Sequence, residues 1–101
     1  MANIEVQRLL KAKSFDRAIS DQLRRASLSI MLNIAEGSGR FTKPDKRNFY
    51  IRARGSVYEC VAVMDVLLAE GRLSNEVGLQ FYEKYEELSK MLLSLINSQG
   101  K

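Results

Sequence analysis

The chain has 101 residues, enough for one domain (residues 1–101) with a modest hydrophobic core but not for two. Its 46% hydrophobic and 28% charged residues are typical of a folded globular protein and argue against a disordered one. The absence of histidine excludes histidine-based catalytic triads and the commonest metal ligand, and the single cysteine, Cys60, excludes an internal disulfide. We therefore expect a protein that is not an enzyme and needs no cofactor.

The first half of the chain contains two segments with helical periodicity. The first helix is predicted over about residues 3–12, after which KSFDR (13–17) turns the chain. The second is predicted over about residues 18–37. There, residues suited to a buried seam recur at spacings of 4, 3, 4, 3 and 4: Ile19, Leu23, Ala26, Ile30, Asn33 and Gly37.

The second half contains two longer helices. The third is predicted over about residues 43–69, with Thr42 as its N-cap, Pro44 in the first turn and Asp45 at the positive end of the helix dipole. Residues 70–73 form a turn, and Ser74 caps a fourth helix over about residues 74–97. Its seam recurs at spacings of 4, 3, 4 and 3: Phe81, Tyr85, Leu88, Leu92 and Leu95. The sequence predicts an all-α, antiparallel four-helix bundle.

The third helix is more apolar than one bundle core requires. Between Val57 and Ala69 only Glu59 and Asp65 are charged. A helix that is apolar on nearly all sides must be covered on nearly all sides, so we expect the bundle to self-associate through this helix.

The stretch SIMLNIAEGSGR (29–40) combines polar residues and glycines at the end of the second helix. Gly37 and Gly39 lack the third glycine and the preceding strand of a dinucleotide-binding loop, and we interpret them as a left-handed helix C-cap. Asn33 and Glu36 have no histidine or matching carboxylate pair nearby, so we predict no metal site.

A structural polar cluster explains Asn33 and Glu36 better than a ligand site does. Asn33 falls on the seam, where a buried amide must find partners, and Glu36 is expected to meet an arginine of the third helix such as Arg54. A glycine such as Gly55 inside a helix lowers helix stability. A close approach of a second helix, with Ser56 forming a hydrogen bond to it, would explain Gly55 and Ser56. Cys60 is expected to be a small buried residue.

Positive charge is concentrated in the first half of the chain. Residues 1–54 contain 12 Lys and Arg against 5 Asp and Glu, whereas residues 55–101 contain 4 against 7. This asymmetry indicates either an anionic partner or a bundle whose basic and acidic faces pair internally. The predicted nucleic-acid-binding residues are Arg40, Lys43, Lys46, Arg47, Arg52, Arg24 and Arg25.

The main phosphate-contacting surface is expected at Arg40, Lys43, Lys46 and Arg47. Arg24, Arg25 and Arg54 rank second, because the alternative for them is internal ion pairing. Phe41 and Tyr50 lie among these residues in sequence and either stack on bases or pack in the protein.

Two segments resemble a known family. QLRRASLSIMLNIAEGSGR (22–40) and RGSVYE (54–59) are similar to the bacterial four-helix-bundle proteins encoded in intervening sequences of 23S rRNA genes, also called S23 ribosomal proteins. The resemblance covers residues 19–97. The matching positions are Arg24, Arg25, Ser29, Asn33, Glu36, Gly37, Gly39, Arg40, Gly55, Ser56 and Glu59.

The resemblance implies a homopentamer of four-helix bundles with a basic surface and no catalytic activity. It also implies a relation to accessory proteins of diversity-generating retroelements, which bind a reverse transcriptase and its template RNA. The first helix and its loop are shorter here than is usual for the family, which affects any subunit contact made by a longer helix.

Two functions remain open at this stage: an RNA-binding module and a protein scaffold without direct nucleic-acid binding. No apolar run approaches the roughly 20 residues of a membrane span, and MANIEVQRLLKAK lacks the features of a signal peptide. We therefore expect a cytoplasmic protein that does not bind membranes.

Overall fold

The structure is a computed structural model and describes residues 2–12 and 17–99. These residues form four helices and no strand: α1 (Ala2–Ala12), α2 (Arg17–Ser38), α3 (Lys43–Ala69) and α4 (Asn75–Ser98). The all-α prediction is confirmed. The turn predicted at residues 13–17 lies outside the described residues except for its last position, with which α2 begins.

Helix α3 is the centre of the bundle and packs along both α2 and α4. Contacts between Gly37 and Tyr50 and between Ser29 and Ser56 show that α3 runs antiparallel to α2. The buried core comes from all four helices and the turn before α4. It includes Val6, Leu23, Ala26, Ile30, Ala53, Val57, Cys60, Met64, Leu67, Leu73, Phe81, Tyr85 and Leu92.

Helix α1 is about half as long as α2 and joins α2 to α4 over part of their length. Val6 is fully buried, the Ser27 hydroxyl donates to Asn3 Oδ1 at 2.7 Å, and Glu5 forms an ion pair with Lys84 of α4. This short helix therefore belongs to the bundle core.

Local sequence signals explain where α3 and α4 begin. Thr42 Oγ1 accepts a hydrogen bond from the Asp45 amide at 3.3 Å, and Ser74 Oγ accepts one from the Val77 amide at 3.2 Å. Both predicted N-caps are confirmed.

The turn after α3 is a left-handed glycine cap. Gly71 has a φ of 68° and donates to the Leu68 carbonyl at 3.0 Å, while the Arg72 amide donates to the Leu67 carbonyl at 2.9 Å. This pair of bonds satisfies carbonyls that the end of the helix leaves open.

The left-handed cap predicted at Gly37 and Gly39 is wrong. Helix α2 continues through Gly37 to Ser38, and the positive-φ residue of the described chain is Gly71. The Gly39 amide bonds back to the Ala35 and Glu36 carbonyls, both at 3.2 Å, without leaving the right-handed region. Gly37 is explained by packing instead, because an added Cβ would lie 2.8 Å from Cε1 of Tyr50.

The predicted seam of α4 drifts by one residue at its end. Leu95 is 37% exposed, whereas the neighbouring Ile96 is 6% exposed and buried. Seven residues fall slightly short of two turns in a helix with 3.6 residues per turn. Over a long helix the buried face therefore shifts to the following position.

Candidate nucleic-acid interface

The basic turn, defined here as Arg40, Lys43, Lys46 and Arg47, lies where α2 connects to α3. Residues 39–42 link the two helices, and the Thr42 cap fixes the start of α3. Lys43 and Arg47 lie one helical turn apart and are exposed. The structure therefore brings all four predicted residues to one end of the bundle.

Two residues of the basic turn are already engaged by the protein. Arg40 Nη2 forms an ion pair with Glu36 Oε2 at 2.9 Å, and its guanidinium lies 4.7 Å from the centre of the Phe49 ring. Lys46 Nζ donates to the Ser38 carbonyl at 3.3 Å. In contrast, Lys43 and Arg47 have no ion pair or hydrogen bond from their side chains to any described residue. They are the available cations of the basic turn.

Arg52 lies beside the basic turn, and both Arg52 and Arg40 contact the ring of Phe49. The Arg52 guanidinium lies 5.0 Å from the centre of the Phe49 ring, so Phe49 interacts with both Arg52 and Arg40. Sequence reasoning missed Phe49. The positions of Arg40 and Arg52 around it depend on how α2 and α3 pack, which the spacing of these residues does not reveal.

Arg24 and Arg25 are not part of this surface. Arg24 lies fourteen residues before the end of α2, about 21 Å along the helix axis. Arg24 Nη1 lies 3.6 Å from Asp21 Oδ1, and Arg25 Nε donates to the Asp21 carbonyl at 3.4 Å. These are exposed local contacts on α2, so the seven predicted binding residues do not form one patch within a single chain.

The two aromatic residues considered for stacking differ sharply in exposure. Tyr50 is 5% exposed, packs against Gly37, and its hydroxyl lies 3.4 Å from Ser38 Oγ. Phe41 is 99% exposed at the tip of the connection. Tyr50 is therefore a packing residue, and Phe41 is the aromatic ring available to a ligand.

The predicted polar cluster divides into separate groups. Asn33 Nδ2 donates to the Ser29 carbonyl at 2.8 Å and to Ser29 Oγ at 3.0 Å, and Ser29 shares a 2.8 Å hydrogen bond with Ser56. This group links α2 to α3 as Ser56 was expected to do. Asn33 itself is half-buried rather than buried.

The predicted contact between Glu36 and Arg54 is wrong. Glu36 is exposed and pairs with Arg40 four residues later, whereas Arg54 faces α4, where its Nε donates to Ser89 Oγ at 3.1 Å. The Arg54 guanidinium also lies 5.3 Å from the centre of the Tyr58 ring. Glu36 follows the seam residue Asn33 by about one helical turn, but packing directs Arg54 to the other neighbour of α3.

One stripe on the solvent-facing side of α3 is apolar, although exposed charged residues such as Arg52, Glu59 and Asp65 flank it. This outer α3 face consists of exposed residues at helical spacing: Ile51, Gly55, Tyr58, Ala62 and Val66. An added Cβ at Gly55 would meet no described residue within 4 Å, so the close approach predicted at Gly55 does not occur among the described residues. These residues leave the outer α3 face uncovered.

The core contains one buried pair with shifted ionisation. Cys60 is fully buried as predicted, and burial raises the pKa of its thiol from 9.0 to about 11. Burial also raises the pKa of the Tyr85 hydroxyl. The polar group beside that hydroxyl is the Cys60 thiol, a weak partner, and no hydrogen bond of ordinary geometry reaches it. Tyr85 also lines a cleft between α3 and α4, together with Arg54 and Tyr58.

The described part of the chain contains no cluster of three or more acidic or cysteine residues with the geometry of a metal site. Within the same residues, none of the helices combines the length and apolarity needed to traverse a bilayer.

Comparison with known proteins agrees with this architecture. The model of the 23S rRNA-intervening sequence protein family matches residues 2–94. The fold is similar to the crystal structure of a protein of unknown function from the S23 ribosomal protein family of Bacteroides thetaiotaomicron VPI-5482. The TM-score is 0.87 at 22% identity, over 93% of this chain and 90% of that one. No curated protein matches the sequence. The chain belongs to the 23S rRNA-intervening sequence protein family.

Proposed function

We propose that this protein is a non-enzymatic RNA-binding bundle that acts as a homo-oligomer. The observation that carries the proposal is the presence of two exposed cations, Lys43 and Arg47, that have no partner among the described residues and lie beside the N-terminus of α3. Such cations bind phosphate without competing against an internal ion pair, which is the requirement for a sequence-independent contact with a nucleic-acid backbone.

The end of the helix strengthens this preference for anions. The first backbone N–H groups of α3 have no carbonyl partner within the helix, and the helix dipole is positive there. Thr42 satisfies one of these groups and Pro44 has none. Phosphate groups near Lys43 and Arg47 therefore meet a favourable local field in addition to two side-chain charges.

Self-association would multiply a small site. The two available cations of the basic turn give weak binding, but several copies on one RNA add contacts without any new residue. The outer α3 face supports the self-association part of the proposal, because its apolar residues are exposed in the single chain. The pentameric state is taken from the resemblance to the family.

Binding of a fluorescent RNA tests the proposal. The double variant Lys43→Gln/Arg47→Gln removes both available cations, while Arg17→Gln/Lys90→Gln removes the same charge from exposed positions outside the basic turn. At about 50 mM salt we expect the first variant to lose at least tenfold in affinity and the second to lose much less. Equal losses in the two variants would mean that net charge, not the basic turn, binds RNA.

The second candidate function is a protein scaffold, favoured by the apolar outer α3 face. The two candidates respond differently to salt, because phosphate binding weakens steeply as salt rises while apolar association does not. The resemblance to the retroelement accessory branch supports including a reverse transcriptase among the protein partners to be tested.

A further inference from the structure

Phe41 is the most exposed large apolar side chain among the described residues. Phe41 is 99% exposed, whereas the nearby Phe49 is half-buried and Tyr50 is buried. Phe41 lies on the short connection between α2 and α3, immediately before Thr42, the N-cap residue of α3. Covering such a ring lowers the free energy, because apolar surface is removed from water.

Phe41 forms one side of a cleft with a mixed lining. Leu32 and Ala35 of α2 supply apolar surface, and Glu36, Arg40 and Asp45 line the same cleft. Neither Lys43 nor Arg47 is part of the lining. Arg40 is already paired with Glu36, and two acidic residues against one basic residue disfavour a phosphate inside the cleft. A carboxylate such as that of Asp45 accepts hydrogen bonds from amino groups on the edge of a base.

We propose that Phe41 stacks on an unpaired base while Lys43 and Arg47 hold the adjacent phosphates, so that the basic turn selects single-stranded RNA. This inference rests on the RNA-binding function proposed above and adds the class of RNA. Base stacking and phosphate binding are assigned to different residues because the ring of Phe41 and the cations Lys43 and Arg47 occupy neighbouring parts of one bundle end.

Duplex RNA satisfies this arrangement poorly. Its bases are already stacked on one another, and its major groove is too deep and narrow for side chains to read. Phe41 reaches a base face in a duplex only if a base pair is opened, which carries a free-energy cost that an unpaired strand does not pay. The cations can still contact duplex phosphates, so duplex binding is expected to be weaker rather than absent.

The test compares a fluorescent 12-nucleotide RNA without secondary structure with a 12-base-pair RNA duplex. We expect the protein to bind the single strand more tightly, and Phe41→Ala to lose about tenfold or more on the single strand with little change on the duplex. Phe41→Trp should retain the preference because it keeps a flat ring. Phe41→Leu should lose most of it although it remains apolar. The matched control is Tyr82→Ala, which removes another exposed aromatic ring from α4.

The outcomes separate this inference from the proposed function. If the protein binds both RNAs equally and Phe41→Ala changes neither affinity, RNA binding stands and the stacking inference is overturned. If the protein binds neither RNA, the proposed function itself fails. Light scattering of Phe41→Ala supplies the remaining outcome: a change in its oligomeric state would show that Phe41 contacts a second copy and would overturn the inference.

Discussion

Replacing Gly37, Gly55 and Gly78 by alanine, one at a time, tests how the helices pack. Gly55 lies in the interior of α3, where the substitution gains about 1 kcal/mol of helix propensity, whereas Gly37 lies in the last turn of α2 and Gly78 in the first turn of α4, where the gain is smaller. They differ in what the new methyl group meets. At Gly55 it meets nothing within 4 Å, at Gly78 it meets the side-chain end of Leu68 at 2.7 Å, and at Gly37 it meets Tyr50 Cε1 at 2.8 Å.

The contacts at Gly37 are the hardest to relieve. Besides the Tyr50 ring, the new methyl would lie 3.0 Å from Cβ of Phe49, an atom that cannot move without the backbone of α3. Overpacking of this kind costs about 1–3 kcal/mol, which equals or exceeds the gain in propensity. The Leu68 methyl groups can rotate away from Gly78 at a smaller cost. We therefore expect stability to follow the order Gly55→Ala, Gly78→Ala, Gly37→Ala.

Urea unfolding followed by circular dichroism measures this order. With a slope of about 1 kcal/mol per M, Gly55→Ala should raise the midpoint by about 1 M, while Gly37→Ala should leave it unchanged or lower it by up to about 2 M. The measurement is made at protein concentrations where the midpoint no longer depends on concentration, so that self-association does not contribute. If Gly37→Ala stabilises the protein as much as Gly55→Ala, the close packing of α2 against α3 is wrong.

Three further predictions follow from the core and the surface. Tyr85→Phe removes a buried hydroxyl without an ordinary hydrogen bond and should raise the free energy of unfolding by about 1 kcal/mol, whereas Tyr50→Phe should change it little; urea midpoints compare them. The pKa of the Cys60 thiol is about 11 in the folded protein and 9.0 as a free group, so the thiol loses its proton at a lower pH in the unfolded chain. The contribution of Cys60 to stability should therefore fall by about 1 kcal/mol per pH unit between pH 9 and 11, so that stability falls less steeply in Cys60→Ala, as pH-dependent unfolding would show. Gly55→Lys places a charge on the outer α3 face and should shift the proposed oligomer to monomers in light scattering; an unchanged mass would exclude this face from the interface.

The sequence was sufficient for the fold because the signals involved are local. Thr42 and Ser74 cap their helices through residues three positions away, so the chain itself encodes these contacts. The seams of α2 and α4 depend on helical periodicity alone, and they drifted only where α4 is long enough for Ile96 to replace Leu95.

The candidate site was less predictable because its contacts depend on helix rotation and neighbours. Glu36 and Arg54 both carry charge near the same level of the bundle, yet Arg54 turns to Ser89 of α4. Sequence reasoning could not decide between stacking and packing for Phe41 and Tyr50. The decision follows from Gly37, which opens the space that Tyr50 fills.

The salt dependence of RNA affinity tests the central claim most directly, since it counts phosphate contacts. For a single-stranded RNA, each contact contributes about 0.7 to the slope of log affinity against log salt. We predict that Lys43→Gln/Arg47→Gln lowers this slope by about 1.4 per bound chain relative to the parent protein, while Arg17→Gln/Lys90→Gln leaves it nearly unchanged. A parent protein whose affinity does not depend on salt, or a double variant with the parent slope, would contradict the assignment of the basic turn as the RNA-binding surface.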